Sequence, residues 1–214
     1  MDRIDHIRTA LAAGPVPAGA LCAGLGVTRP TLARDLASMP GEIVTLGAAR
    51  STHYALRDNF RGLPDIPVYR VNAAGQVEVL GQLTPVRPDG FVMRDANGQT
   101  SHHAGLPWWL TDMRPQGFLR RAYARQHATG LGLPPDVRHW RDADALRALL
   151  LYGGDAVGNV LLGDLARDRF VNAAAPVPVA THHYPHLAAE ALAAEDTVLY
   201  LVRQRPCVGE VFSC

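Results

Sequence analysis

Lysine is absent from this sequence, since all 21 basic residues among its 214 are arginines. The chain therefore has no phosphate-binding lysine of a P-loop and no lysine to form a Schiff base. The basic residues face 20 acidic ones, and the formal net charge is +1. Bulk charge predicts neither a nucleic-acid nor a membrane partner, so any basic patch has to be local.

Cysteine and long apolar runs are also scarce. Cys22, Cys207 and Cys214 are too few and too scattered for a disulfide framework. No run approaches the roughly 18 apolar residues of a membrane span, and the acidic, helix-patterned N-terminus differs from a signal peptide. We therefore expect a cytoplasmic protein without a membrane partner. The 48% hydrophobic share is enough to form a core.

Residues 1–57 predict a winged helix-turn-helix. Ile4, Ile7 and Leu11 recur at helical spacing, and a short helix from Ala18 ends in a glycine turn at residues 24–26. A second helix begins after Thr28, with Pro30 in its first turn. The segment "EIVTLGAARSTHYAL" then predicts two short strands that form a hairpin around residues 47–51, the wing.

The second helix of this module is a candidate DNA-reading helix. Side chains opposite Leu32 and Leu36 would enter a major groove while the wing contacts the backbone. The candidate DNA-contacting residues are Arg29, Thr31, Arg34 and Arg50. Residues 1–57 hold six arginines against four acids, a small surplus. A module that binds only protein, or that only packs, is the alternative.

The rest of the chain predicts an α+β fold beyond a linker at residues 58–67. Alternating residues around Gly75 and around the Asn97–Gly98 pair predict a small antiparallel sheet, and helices follow it in a domain of residues 68–175. A short strand is expected at "NVLLGDL" and another at "RDRFVN", residues 167–172. Residues 176–214 are expected to form a linker, a short helix and an atypical tail.

Two groups of polar residues could bind ligands, although simpler roles fit both. An arginine group could meet an acidic partner or form a solvated, paired face; its members are Arg114, Arg120, Arg121 and Arg125. The histidine pairs 102–103 and 182–183 lack a carboxylate or cysteine at ligand spacing. We therefore expect no metal site, and the cysteines lack the neighbours of a nucleophile.

The stretch "LLLYGGDAVGNVLLG", residues 149–163, looks at first like a phosphate-binding loop. Such a loop needs a strand before the glycines and a helix after them, so that the helix N-terminus faces the anion. Here the predicted order is helix, glycines, strand. The stretch therefore predicts a scaffold turn, in which the first glycines end a helix.

Three motifs in order resemble the N-terminal region of HipA-family serine/threonine kinases, the toxins of HipA–HipB pairs. They are "LPW" from Leu106, "MRPQG" from Met113, and "GDAVGNV" at residues 154–160. The added N-terminal winged helix resembles the HipH (YjjJ-like) branch, and the resemblance covers residues 1–190. It implies a kinase that uses ATP and magnesium in the full-length family, with operator DNA, a HipB-like antitoxin or a HipA-like kinase as partners.

The catalytic elements of that family find no match in this sequence. The family's Gly/Ser-rich loop, its Pro-Lys and its catalytic and metal-binding aspartates would follow the matched region, where "VLYLVRQRPCVGEVFSC" stands instead. We expect a regulatory, DNA-binding part of a toxin kinase, truncated or frameshifted near Glu195, which holds no cofactor and catalyses no phosphorylation alone. The alternative is a stand-alone antitoxin-like protein or transcriptional regulator that binds such a kinase or operator DNA.

Overall fold

The computed structural model of this protein describes residues 2–114, 119–153, 158–173 and 179–193. Its helices and antiparallel strands form an α+β fold, which confirms the predicted class. The chain divides into two compact units. The first comprises Met1–Val68 and Val79–Thr111, and the second comprises Tyr69–Glu78 and Asp112–Cys214.

The first unit begins with the helices α1 (Arg3–Leu11), α2 (Ala18–Leu25) and α3 (Arg29–Ala37). The Asp2 carboxylate caps α1 by accepting a hydrogen bond from the Arg3 N–H at 2.6 Å. Helix α2 ends at Gly26, whose φ of 62° suits glycine. The extended backbone of Thr28 then separates α2 from α3, in which Pro30 occupies the first turn.

The first unit also contains a three-stranded antiparallel sheet with the order β1 (Val16–Pro17), β3 (His53–Leu56), β2 (Ile43–Leu46), in which β1 lies between α1 and α2 in sequence. Val44 pairs with Ala55, and Leu46 pairs with His53. A 3-10 helix at Ala49–Ser51 connects β2 to β3. The hairpin predicted for residues 42–56 is thus confirmed.

The helices and this sheet enclose a buried apolar cluster. Helix α3 contributes Leu32, which is 2% exposed, and half-buried Leu36 packs against the cluster. The other buried members are Ile7, Leu11, Leu21, Met39 and Leu56. Because one side of α3 is anchored in this way, its opposite side is left to solvent.

A five-stranded sheet has the order β7 (Thr100–His103), β6 (Gly90–Asp95), β5 (Val77–Val86), β4 (Ile66–Val71), β8 (Val160–Leu162). The side-chain amide oxygen of Asn72 closes the turn between β4 and β5 by accepting a hydrogen bond from the Ala74 N–H at 2.9 Å. In the turn between β6 and β7, the Asp95 carboxylate accepts a hydrogen bond from the Asn97 N–H, also at 2.9 Å. Both predicted hairpin turns are therefore present.

Within the first unit, the β2–β3 hairpin packs on strands β5 and β6. Leu46 and Ala55 form a buried cluster with Val86 and Val92. The Leu56 carbonyl also accepts a hydrogen bond from the Arg87 N–H at 2.9 Å. The hairpin is thus attached to the larger strands by both apolar and backbone contacts.

The segment after β3 carries a buried ion pair between Asp58 and Arg61, whose side chains are 4% and 13% exposed. Asp58 also accepts a hydrogen bond from the Phe60 N–H at 2.8 Å. The Arg61 guanidinium donates to the carbonyls of Val86, Asp89 and Gly90 at 2.8–2.9 Å. This segment therefore ties the β3 end to the turn between β5 and β6.

The other helices include α4 (Trp108–Thr111) in the first unit and, in the second, α5 (Leu119–Leu131), α6 (Asp142–Tyr152), α7 (Gly163–Val171) and α8 (Tyr184–Ala193). The strand predicted at residues 167–172 is wrong, because α7 occupies most of them. Ala166 and Phe170 are four residues apart and pack with Tyr69 in one apolar cluster. The four-residue spacing of Ala166 and Phe170 places both on one side of a helix, which explains why this segment is helical.

Two apolar clusters hold the second unit together. One joins α5 to α6 through Tyr123, Trp140 and Ala148, and the Trp140 ring nitrogen donates to the Pro134 carbonyl at 2.8 Å. The other joins strand β4 to α7 and β8. Within the described part of the chain, no helix combines the length and the apolar character that crossing a bilayer requires.

Candidate nucleic-acid interface

Helix α3 presents two exposed arginines, Arg29 and Arg34. Arg34 follows the buried Leu32 by two residues, so the 3.6-residue period places it on the far side of the helix. Arg29 is the first residue of the helix. The structure therefore places both arginines at the surface, as the sequence predicts, while the opposite side of α3 is held in the core.

Thr31 differs from the other three candidates. It is half-buried, and its hydroxyl lies 3.0 Å from the hydroxyl of Thr28. This contact joins the extended residue before α3 to the first turn of the helix. Thr31 therefore supports the start of α3 and offers less surface than either arginine.

Arg50 lies in the loop that joins β2 to β3, residues 47–52, which we call the Arg50 loop. The side chain of Arg50 is exposed. At the start of the loop, the Gly47 N–H donates to the Thr100 hydroxyl of β7 at 2.8 Å. Sequence reasoning missed Thr100, because 53 residues separate it from Gly47 and no local pattern signals the contact.

The carboxylates of the first three helices and of Glu42, just before β2, are already engaged. Arg8 forms a two-point pair with Glu42, with both N–O distances at 2.9 Å. The side-chain hydrogen bonds from Arg8 lower the pKa of Glu42, which is therefore ionised and neutralised by its partner. Arg3 similarly donates to Asp35 of α3 at 3.1 Å.

Three other arginines of this region keep their charge uncompensated. In the part of the chain that the structure describes, no carboxylate pairs with Arg29, Arg34 or Arg50. The small basic surplus of residues 1–57 is thus concentrated on α3 and the Arg50 loop. An exposed guanidinium group binds phosphate and can also bind a guanine edge with two hydrogen bonds.

Of the second group of arginines, the structure describes the side chain of Arg114. Arg114 donates to Asp142 at 2.7 Å and to the Trp140 carbonyl at 3.3 Å, so it joins the segment before α5 to the start of α6. It therefore has a local structural role. The side chains of Arg120, Arg121 and Arg125 lie outside the described part of the chain.

The histidine pairs have separate surroundings. His102 and His103 are neighbours on β7, and His103 lies 3.2 Å from the Ser101 hydroxyl. His182 and His183 stack edge to face with ring centres 4.1 Å apart. Among the described residues, no three His, Cys, Asp or Glu side chains form a group suited to a metal ion.

A polar cluster in the second unit resembles an acid–base site but holds elements together. The Tyr69 hydroxyl donates to Asp164 at 2.5 Å and accepts from Arg167 at 2.9 Å. The hydrogen bond to Asp164 raises the pKa of Tyr69, so the phenol stays protonated. Each group has a partner within the cluster, which links β4 to α7.

The glycine-rich stretch has the predicted order of elements. Helix α6 ends at Tyr152, Gly153 follows it, and strand β8 begins at Val160. The Val71 N–H donates to the Asn159 carbonyl at 2.8 Å, which fixes the entry to β8 on β4. Residues 154–157 lie outside the described residues.

Most of the chain matches known proteins. A family model described as "YjjJ-like toxin, middle domain" matches residues 63–171. The chain is also similar to "Toxin YjjJ" of Escherichia coli (strain K12), with 36% identity over 197 residues. That alignment covers 90% of this chain and 44% of the relative, so the chain spans less than half of the relative's length. No solved structure matches the chain.

Proposed function

This chain belongs to the YjjJ-like toxin family, and from that premise we propose that it is a DNA-binding regulatory part of such a toxin. The observation that carries the proposal is the set of three exposed arginines without carboxylate partners on α3 and the Arg50 loop. The neighbouring acids are neutralised by Arg3 and Arg8. The local field on this surface is therefore positive although the whole chain is almost neutral.

We propose that residues 1–57 form a winged helix-turn-helix. The order α1, β1, α2, α3, β2, β3 and the sheet order β1-β3-β2 support this assignment. In this assignment α3 is the recognition helix, the β2–β3 hairpin is the wing, and Arg29, Thr31, Arg34 and Arg50 are the DNA-contacting residues. Recognition helices of this type place their side chains in the major groove.

The proposed domain limits are a winged helix at 1–57, a short connection at 58–67, a toxin-type α+β domain at 68–175, and a tail at 176–214. The middle-domain match at residues 63–171 supports the third of these regions, the α+β domain. We propose that the matched motifs reflect a HipA-like serine/threonine kinase and that this chain contributes binding rather than phosphoryl transfer. Calorimetry with ATP and magnesium should then detect no binding, and micromolar affinity would contradict this part of the proposal.

The decisive experiment compares DNA binding of wild-type protein and the Arg34→Ala variant. Fluorescence anisotropy would use a labelled duplex from the region upstream of the protein's own gene and a scrambled duplex of equal length. We expect Arg34→Ala to lose about 1–3 kcal/mol of binding free energy on the upstream duplex. The loss arises because the substitution removes the exposed cation on the side of α3 opposite the buried Leu32.

Arg138→Ala is the matched control, since it removes the same charge from an exposed arginine that already pairs with Asp136. We expect its DNA affinity to equal that of the wild type. Absence of wild-type binding to either duplex at low salt, where phosphate contacts are strongest, would overturn the proposed function. Equal losses in Arg34→Ala and Arg138→Ala would show that net charge, and not this surface, governs binding.

A further inference from the structure

Arg94 shares one face of the larger sheet with Thr100. In the register of strands β5, β6 and β7, Arg94 pairs directly with Gln82 on one side and with Thr100 on the other. Direct partners in antiparallel strands project to the same face, with Cα atoms about 4.5–5.5 Å apart. The Arg94 side chain therefore emerges next to that of Thr100.

The β2–β3 hairpin covers this same face. Val92 precedes Arg94 by two residues on β6, and the two-residue period of a strand places both on one face. Val92 packs with Leu46 and Ala55 of the hairpin. The face that the hairpin covers at Val92 therefore continues along β6 to Arg94.

Thr100 connects this end of the sheet to the Arg50 loop. Its hydroxyl accepts the hydrogen bond from the Gly47 N–H at 2.8 Å, and Gly47 is the first residue of that loop. Arg94 thus stands beside the residue that anchors the loop. Two exposed arginines that are 44 positions apart in sequence, Arg50 and Arg94, are brought to the same end of the first unit.

The charge of Arg94 is also uncompensated. The side chain is exposed, and no carboxylate among the described residues pairs with it. The adjacent Asp95 projects to the other face and accepts hydrogen bonds from the N–H groups of Asn97 and Gln99. Burial lowers the pKa of His102 on the shared face, so that ring is neutral at pH 7 and Arg94 supplies the positive charge.

We propose that Arg94 is a further DNA-contacting residue, which binds a backbone phosphate next to the one contacted by Arg50. The DNA-binding surface then extends from the β2–β3 hairpin onto β6 and β7. This inference rests on the proposed function. A single guanidinium beside the wing suits a phosphate contact, which adds affinity for any sequence and is weakened by salt.

The test measures affinity for upstream and scrambled duplexes between about 50 and 200 mM salt. We expect Arg94→Ala to weaken binding to both duplexes by the same factor and to reduce the slope of log affinity against log salt by about 1. Arg94→Lys keeps the charge and should retain the wild-type slope. Arg138→Ala should leave the slope unchanged, and thermal unfolding should show that all three variants remain folded.

The outcomes separate this inference from the proposed function. If Arg34→Ala and Arg50→Ala weaken binding while Arg94→Ala keeps the wild-type slope, the extended surface is wrong and the proposed function stands. If the wild type binds neither duplex, both fail. If Arg94→Ala weakens binding only to the upstream duplex, Arg94 reads bases, which would overturn its assignment to the backbone.

Discussion

Replacing Asp58 by alanine should destabilise the protein by about 3–5 kcal/mol, because it leaves the Arg61 cation buried without its partner. The Arg61 side chain is 13% exposed and lies over the Phe91 ring at 4.7 Å, so water cannot fully solvate its charge. It also donates hydrogen bonds to backbone carbonyls of the β5–β6 turn, which carry no full negative charge. Urea denaturation followed by tryptophan fluorescence and circular dichroism would measure the loss.

Asp65→Ala is the matched control for this prediction. Asp65 pairs with Arg57, but both side chains keep more than a quarter of their surface exposed, at 30% and 28%. An ion pair at such exposure contributes less than about 1 kcal/mol. Asp58→Asn keeps an oxygen that can accept from the Phe60 N–H, so its loss of stability should lie between those of Asp65→Ala and Asp58→Ala. A loss of stability below about 1 kcal/mol in Asp58→Ala would show that removing one partner of this pair does not leave a costly buried charge.

The second large effect is expected at Gly81, where alanine should cost at least about 2 kcal/mol. Gly81 has a φ of 151° and pairs with Asp95 in the β5–β6 ladder. A Cβ atom there would lie 2.1 Å from the Arg94 carbonyl oxygen and 2.8 Å from the Asp95 Cα. Both are backbone atoms, so the strands have to separate.

Gly24→Ala provides the comparison, because it makes the same chemical change within helix α2. No atom lies within 4 Å of a Cβ built at Gly24, and alanine favours helix by up to about 1 kcal/mol over glycine. We expect Gly24→Ala to be neutral or stabilising in the same denaturation experiment. Equal stability of Gly81→Ala and the wild type would show that the two strands tolerate the added methyl group.

Much of the local structure could be predicted because local rules determine it. Gly26 and Pro30 delimit the helices before and after the turn, and the Asn97–Gly98 pair marks the β6–β7 hairpin. The order helix, glycines, strand at residues 149–163 predicts a scaffold turn in place of a phosphate-binding loop. The strand expected at residues 167–172 is wrong because two adjacent apolar residues, Phe170 and Val171, do not distinguish a strand from a helix.

The amino-acid sequence by itself determined which side chains are arginines and which elements carry them. Only the tertiary structure decided which of those charges remain exposed and without a carboxylate partner. Arg8 is neutralised by Glu42, 34 residues away, while Arg34 is left exposed. The contact from Gly47 to Thr100 spans 53 residues and places Arg94 at the same surface. Such pairings depend on chain folding over long separations, which local propensity and spacing do not encode.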